Sequence, residues 1–135
     1  MILYSGLITL DYNPATDILE TSMPDVRQFA SSEVMACVDI IVSHIHNYDI
    51  KKLLLDSSKS VVDVEMDEYK AVSEKFARSL LATRLKKLAR IATADAVREA
   101  KSTRVSTDLL QELNFPITFG NFTNRKEAMR WLLQD

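Results

Sequence analysis

The side chains able to do chemistry in this 135-residue chain are few and scattered. Its one cysteine, Cys37, precedes His44 by seven residues. A thiolate nucleophile needs its imidazole base within hydrogen-bond reach. Seven residues of helix span roughly 10 Å along the axis, so the two make no dyad within one helix. His44 and His46 are two apart and point to opposite sides of a helix. No cysteine cluster or His-Glu-x-x-His spacing points to a metal. With only Gly6 and Gly120, the chain has neither a Walker loop nor a dinucleotide fingerprint, and no cofactor is expected.

Three looser groupings remain. Asp56, Asp63, Glu65 and Asp67 are acidic residues following one apolar run. Paired carboxylates can do acid–base work, but no nucleophile or histidine accompanies these, so helix capping and a solvated loop account for them more simply. Tyr69, Phe76, Phe115, Phe119, Phe122 and Trp131 are aromatic. Tyr69, Phe76 and Trp131 are the candidate lining of an apolar ligand pocket, with ordinary core packing as the plain alternative. Charge is uneven: residues 1–50 carry seven acidic side chains and one basic, whereas 78–104 carry eight basic and two acidic. Arg98 and Lys101, i,i+3 neighbours on a helix, are a candidate anion patch for an acidic protein or a lipid headgroup. The alternative is that the acidic N-terminal half folds over the basic stretch and neutralises it. The net charge of −2 and the lack of an aromatic–basic ribonucleoprotein pattern argue against nucleic acid.

The elements that must position these residues are legible in outline. Residues 2–10 read as a strand, and Asn13-Pro14-Ala15-Thr16-Asp17 is a turn built on proline and Asx chemistry. Ile18 to Met23 completes a hairpin that should supply an antiparallel edge to the sheet. Val34, Val38, Ile41, Val42 and Ile45 form one stripe of a helix. Lys52-Leu53-Leu54-Leu55-Asp56 suits a strand covered on both faces. Asp67 can cap a helix with Tyr69, Val72, Phe76 and Leu80 on its buried side. Leu88 to Ala92 is the next strand. A helical piece covers Ala94–Lys101, and another starts at Thr107 or Asp108. Pro116 to Phe119 is a short strand, Asn121 to Asn124 a turn, and Arg125 to Leu133 a closing helix that should bury Trp131 and Leu132.

The order β-β-α-β-α-β-α-β-α predicts a single α/β domain over residues 1–135, with a mixed sheet of about five strands. Strands separated by helices should be parallel. No stretch reaches ~18 consecutive apolar residues, so no transmembrane segment is expected. The N-terminus lacks a basic region before an apolar run, and a lone cysteine suits a reducing, cytoplasmic setting.

Leu53-Leu54-Leu55-Asp56, Leu88-Ala89-Arg90-Ile91-Ala92 and the closing Phe122…Glu127-Ala128…Trp131-Leu132 resemble the SpoIIAA-like family of STAS/SEC14-type domains along nearly the whole chain. That resemblance implies a STAS-like sheet in a small cytoplasmic bacterial protein. Its related domains are anti-sigma-factor antagonists, regulatory modules and lipid holders. Phosphoregulated STAS domains carry an Asp-Ser-Ser-Gly-like motif. Here Asp56-Ser57-Ser58 is followed by Lys59, so the motif is broken and both serines read as loop residues. The expectation is a non-enzymatic regulatory or protein-interaction module with a protein partner, a homodimer being one form. A small-molecule or lipid carrier is the alternative.

Overall fold

The computed structural model describes residues 1–22, 31–58, 66–92 and 96–134; the side chains of residues 31, 32, 66–69, 96–98, 101 and 102 lie outside that description. The elements are β1 (Ile2–Ser5), β2 (Thr9–Asn13), β3 (Ile18–Ser22), α1 (Ser31–Asn47), β4 (Lys52–Asp56), α2 (Met66–Leu80), β5 (Lys87–Ile91), α3 (Ala96–Glu112), β6 (Thr118–Phe122) and α4 (Arg125–Leu132). The fold is α/β with a mixed sheet, as expected, but with six strands in the order β1-β2-β3-β4-β5-β6. Strands β1 to β3 pair antiparallel and β3 to β6 pair parallel.

The extra strand comes from the N-terminus. Residues 2–10 are not one strand, because the chain reverses at Gly6, whose N–H donates to the Ile8 carbonyl at 2.9 Å. A Cβ at Gly6 would lie 2.6 Å from the Tyr4 hydroxyl, so a larger residue there would push the Tyr4 ring aside. The β2–β3 turn forms as its residues suggest. The Asn13 side chain accepts from the Ala15 N–H at 3.0 Å, and Asp17 takes a left-handed φ of 58°.

Two further boundaries differ from expectation. Helix α3 runs unbroken through the Ser/Thr-rich middle that looked like a break. Val105 and Leu109 are buried one turn apart and carry its apolar stripe through, while the Thr107 hydroxyl donates back to the Thr103 carbonyl at 2.8 Å. Strand β6 is shifted toward the C-terminus and takes in Gly120, Asn121 and Phe122, because Ala89, Arg90 and Ile91 offer it parallel partners. The turn is correspondingly short. Asn124 caps α4 by accepting from the Glu127 N–H at 2.9 Å.

Pairing register sorts the core into two layers. Leu19, Leu53, Leu88 and Phe119 form a cross-strand row on one face. There they pack with Cys37, Ile41 and Ile45 of α1 and Leu80 of α2. The expected α1 stripe is buried at Val34, Val38, Ile41 and Ile45, with Val42 half-buried. Helix α3 lies beside α2, bridged by Lys70 and Glu112 at 3.6 Å. Right-handed crossovers that keep adding strands on one side leave every connecting helix on one face. Helix α4 folds over the opposite face, where Ala128 and Leu132 bury against Ile18, Leu54, Ala89 and Ile91. Small residues at Ala89 and Gly120 make room for it. Trp131 departs from expectation: it is half-buried, lying at the margin of α4 against Phe122 with ring centroids 5.4 Å apart. The Lys87 ammonium sits 5.1 Å from its ring centroid and donates to the carbonyls of Trp131 and Gln134, closing the helix C-terminus.

Candidate functional site

The carboxyl ends of parallel strands are the usual place to look for ligand chemistry. At the end of β4, one Asp56 carboxylate oxygen accepts from the Ser58 N–H at 2.9 Å and the Ser58 hydroxyl at 2.6 Å. Asp56 therefore shapes a tight turn. Ser57 is buried, with 4% of its surface exposed, and its N–H donates to the Ile91 carbonyl at 3.0 Å. A kinase reaches such a hydroxyl only if the turn opens.

On the helix-covered face, the next cross-strand row holds Thr21, Leu55, Arg90 and Asn121. Arg90 is buried and makes a bidentate pair with Glu99 of α3, at 2.8 and 3.2 Å, and also donates to the Asn121 side-chain oxygen at 3.3 Å. Its charge is neutralised by Glu99, so it is no anion receptor. The Thr21 hydroxyl is buried without a partner among the described residues. Arg90 had been legible only as one cation in the basic stretch. The missed signal was its position: a guanidinium between Ala89 and Ile91, inside an apolar run, implies a buried partner.

This row holds no base beside a nucleophile. Among the described residues no group of three or more His, Cys, Asp or Glu side chains could hold a metal. Sequential strand order also puts α1, α2 and α3 on one face, so among the described residues the strand order has no reversal of the kind that opens a binding crevice in doubly wound folds.

The candidate pocket does not converge. Phe76 packs in the α1/α2 layer and Trp131 in the α4 layer, with the sheet between them. The side chains of Tyr69, Arg98 and Lys101 lie outside the described residues, as do Asp63, Glu65 and the segment around Thr93-Ala94-Asp95. The rest of the basic stretch is dispersed: Arg78 pairs with Glu74 at 2.9 Å, Arg84 with Asp49 at 3.4 Å, and Lys87 closes α4. Cys37 is buried in α1, and burial, reinforced by the Glu33 carboxylate, pushes its thiol pKa up.

At the amino end of the sheet, the Tyr12 hydroxyl donates to Asp17 at 2.7 Å, and Lys51 lies 3.6 Å from Asp17 and 3.7 Å from Asp49. Burial first, then the Asp17 hydrogen bond, pushes the Tyr12 pKa up to about 12. This cluster pins the β2–β3 turn to β4 and is structural.

The surface that stands out is the β1 edge. Met1, Ile2, Leu7 and Tyr48 are all exposed, and all lie on or beside β1. Tyr48 joins the strand through His44, whose ring stacks on Tyr48 at 6.1 Å and meets Tyr4 edge-on at 5.8 Å. The His44 Nδ1–H donates to the Ile40 carbonyl at 2.8 Å. Ala36, Ile40, His44 and Tyr48 thus continue one i,i+4 ridge of α1 into the helix end. Neither that ridge nor Ile2-Leu3-Tyr4-Ser5 carries an acidic residue, lysine or arginine. The opposite flank of α1 is charged, with Asp39 at 3.2 Å from Lys75 of α2. An edge strand without lysine, proline or other charge invites pairing. The opening hairpin lies at the antiparallel edge of the sheet as its sequence suggests, and the reversal at Gly6 makes β1 the outermost strand. Comparison with protein-family models, with curated proteins and with solved structures finds no match to this chain.

Proposed function

We propose that this chain is a non-enzymatic, cytoplasmic, SpoIIAA-like module that binds protein through its β1 edge. The observation that carries this reading is the gathering of Met1, Ile2, Leu7 and Tyr48 around an uncharged edge strand. Backbone groups along such an edge give affinity to an added strand, and flanking apolar side chains give selectivity. The buried Ser57 and the Asp56-bonded Ser58 favour a module regulated otherwise than by phosphoserine at this turn. The carrier alternative is weaker, because Phe76 and Trp131 do not face a common space.

The test is selection of displayed extended peptides on the purified protein, followed by hydrogen exchange on the complexes. Slowed exchange at residues 2–5, and loss of binding in Ile2→Lys, are expected. Peptides that instead protect the ends of β4 and β5, or that bind Ile2→Lys equally, would overturn the proposal.

A further inference from the structure

Resting on that reading, we infer that the strand added to β1 is the β1 strand of a second copy of this chain. An antiparallel strand can pair with itself about a two-fold axis normal to the sheet. Centred between Leu3 and Tyr4, such pairing sets Leu3 opposite Tyr4 and Ile2 opposite Ser5 of the second copy. No formal charges are opposed, and the Met1 ammonium already pairs with Asp11 at 3.0 Å. The axis keeps each helical layer on its own side of the joined sheet, so the Ala36/Ile40/His44/Tyr48 ridge meets its own copy. A charged partner strand would find no complementary charge on this strip.

Size and closure agree. Helix α1 has 17 residues and is ~25 Å long, and a helix layer on a sheet edge is ~20 Å tall, roughly 500 Å² in projection. Side-chain relief raises the accessible area toward the ~800 Å² per partner of a standard interface. Register shifts between Ile2 and Tyr4, marking a bulge that shortens the usable ladder, so the α1 ridge must supply much of the contact. Strand β6 at the other edge has no exposed large apolar side chain of its own, Leu133 past the end of α4 being the exposed one nearest it in sequence. That asymmetry favours closed β1-to-β1 pairing over a head-to-tail filament.

Sedimentation velocity over about a hundredfold concentration range decides the matter, since a dimer's population depends on protomer concentration. The expected result is twice the monomer mass at high concentration and loss of that species in Ile2→Lys/Tyr48→Lys. Ile2 and Tyr48 are more than half exposed, so the variant should melt as the wild type does. Hydrogen exchange on the wild type should slow at residues 2–5 as concentration rises, whatever the variant's folding. A wild type monomeric throughout, with exchange at 2–5 independent of concentration, overturns self-pairing. Peptides that still protect residues 2–5 in that case leave the interaction reading standing; if none do, both fall. A dimer that persists in the double variant places the interface elsewhere and also overturns the inference.

Discussion

Replacing Glu99 with alanine should be among the most damaging single changes outside the apolar core. Glu99 supplies both carboxylate oxygens to the Arg90 guanidinium, which has only 6% of its surface exposed. Removing one partner of a buried pair strips a charge in low dielectric of its main compensation and typically costs ~3–5 kcal/mol. Asn121 still accepts one bond, and the Glu99 side chain is 22% exposed, so water can enter the space it leaves. Both facts put the expectation at the lower end, ~3 kcal/mol. With a urea slope of ~2 kcal/mol per molar, the midpoint should fall by ~1.5 M. The assay is urea unfolding followed by far-ultraviolet circular dichroism, with Arg90→Met/Glu99→Leu alongside. That double variant removes both charges and should lie within ~1 kcal/mol of wild type, as hydrophobic replacements of buried pairs often do. Glu74→Ala, which breaks the exposed pair with Arg78, should cost less than ~0.5 kcal/mol. A loss below ~1 kcal/mol for Glu99→Ala would refute the argument, since the other groups around the guanidinium would then compensate it without Glu99. So would a double variant as unstable as the single one.

Trp131→Ala should cost ~1.5–3 kcal/mol by urea unfolding rather than the ~3–5 kcal/mol of a fully enclosed aromatic, because the ring is half-buried over Phe122. In Gly120→Ala the new Cβ would lie 2.9 Å from the Phe122 ring, and the displaced ring should cost ~1–3 kcal/mol and shift Trp131 fluorescence. Ultraviolet titration of the native protein should find the Tyr12 phenol ionising at about 12, and Asp17→Asn should move it back toward the ordinary ~10. The folded state holds the neutral phenol, so this contribution to stability is complete below pH ~10 and is lost as pH climbs from there through about 12. Cys37 should react slowly with a thiol reagent near neutral pH and rapidly once denaturant exposes it; fast reaction of the native protein would contradict its burial.

Local chemistry made much of this fold legible. The 3.6-residue stripe of α1, the doubly covered run at β4, the Asx turn at Asn13 and the closing helix after Asn124 each depend on neighbours within a few residues, and each formed where its residues indicated. The broken Asp-Ser-Ser motif was equally a local fact. What only the tertiary structure decided depends on which strands become neighbours. The strand order makes β1 the outermost strand, with Met1, Ile2 and Leu7 along it and Tyr48 reaching it through His44, although Tyr48 is far from the others in sequence. It also puts Phe76 and Trp131 on opposite faces, where aromatic composition alone had grouped them. Arg90 looked like any other cation until its pairing row and α3 enclosed it with Glu99. Periodicity encodes which side of an element is apolar, but not which element will cover it. Coverage is a long-range outcome, set when helices α1 to α3 take one face of the sheet and α4 takes part of the other, and β1 is left without a second strand neighbour among the described residues.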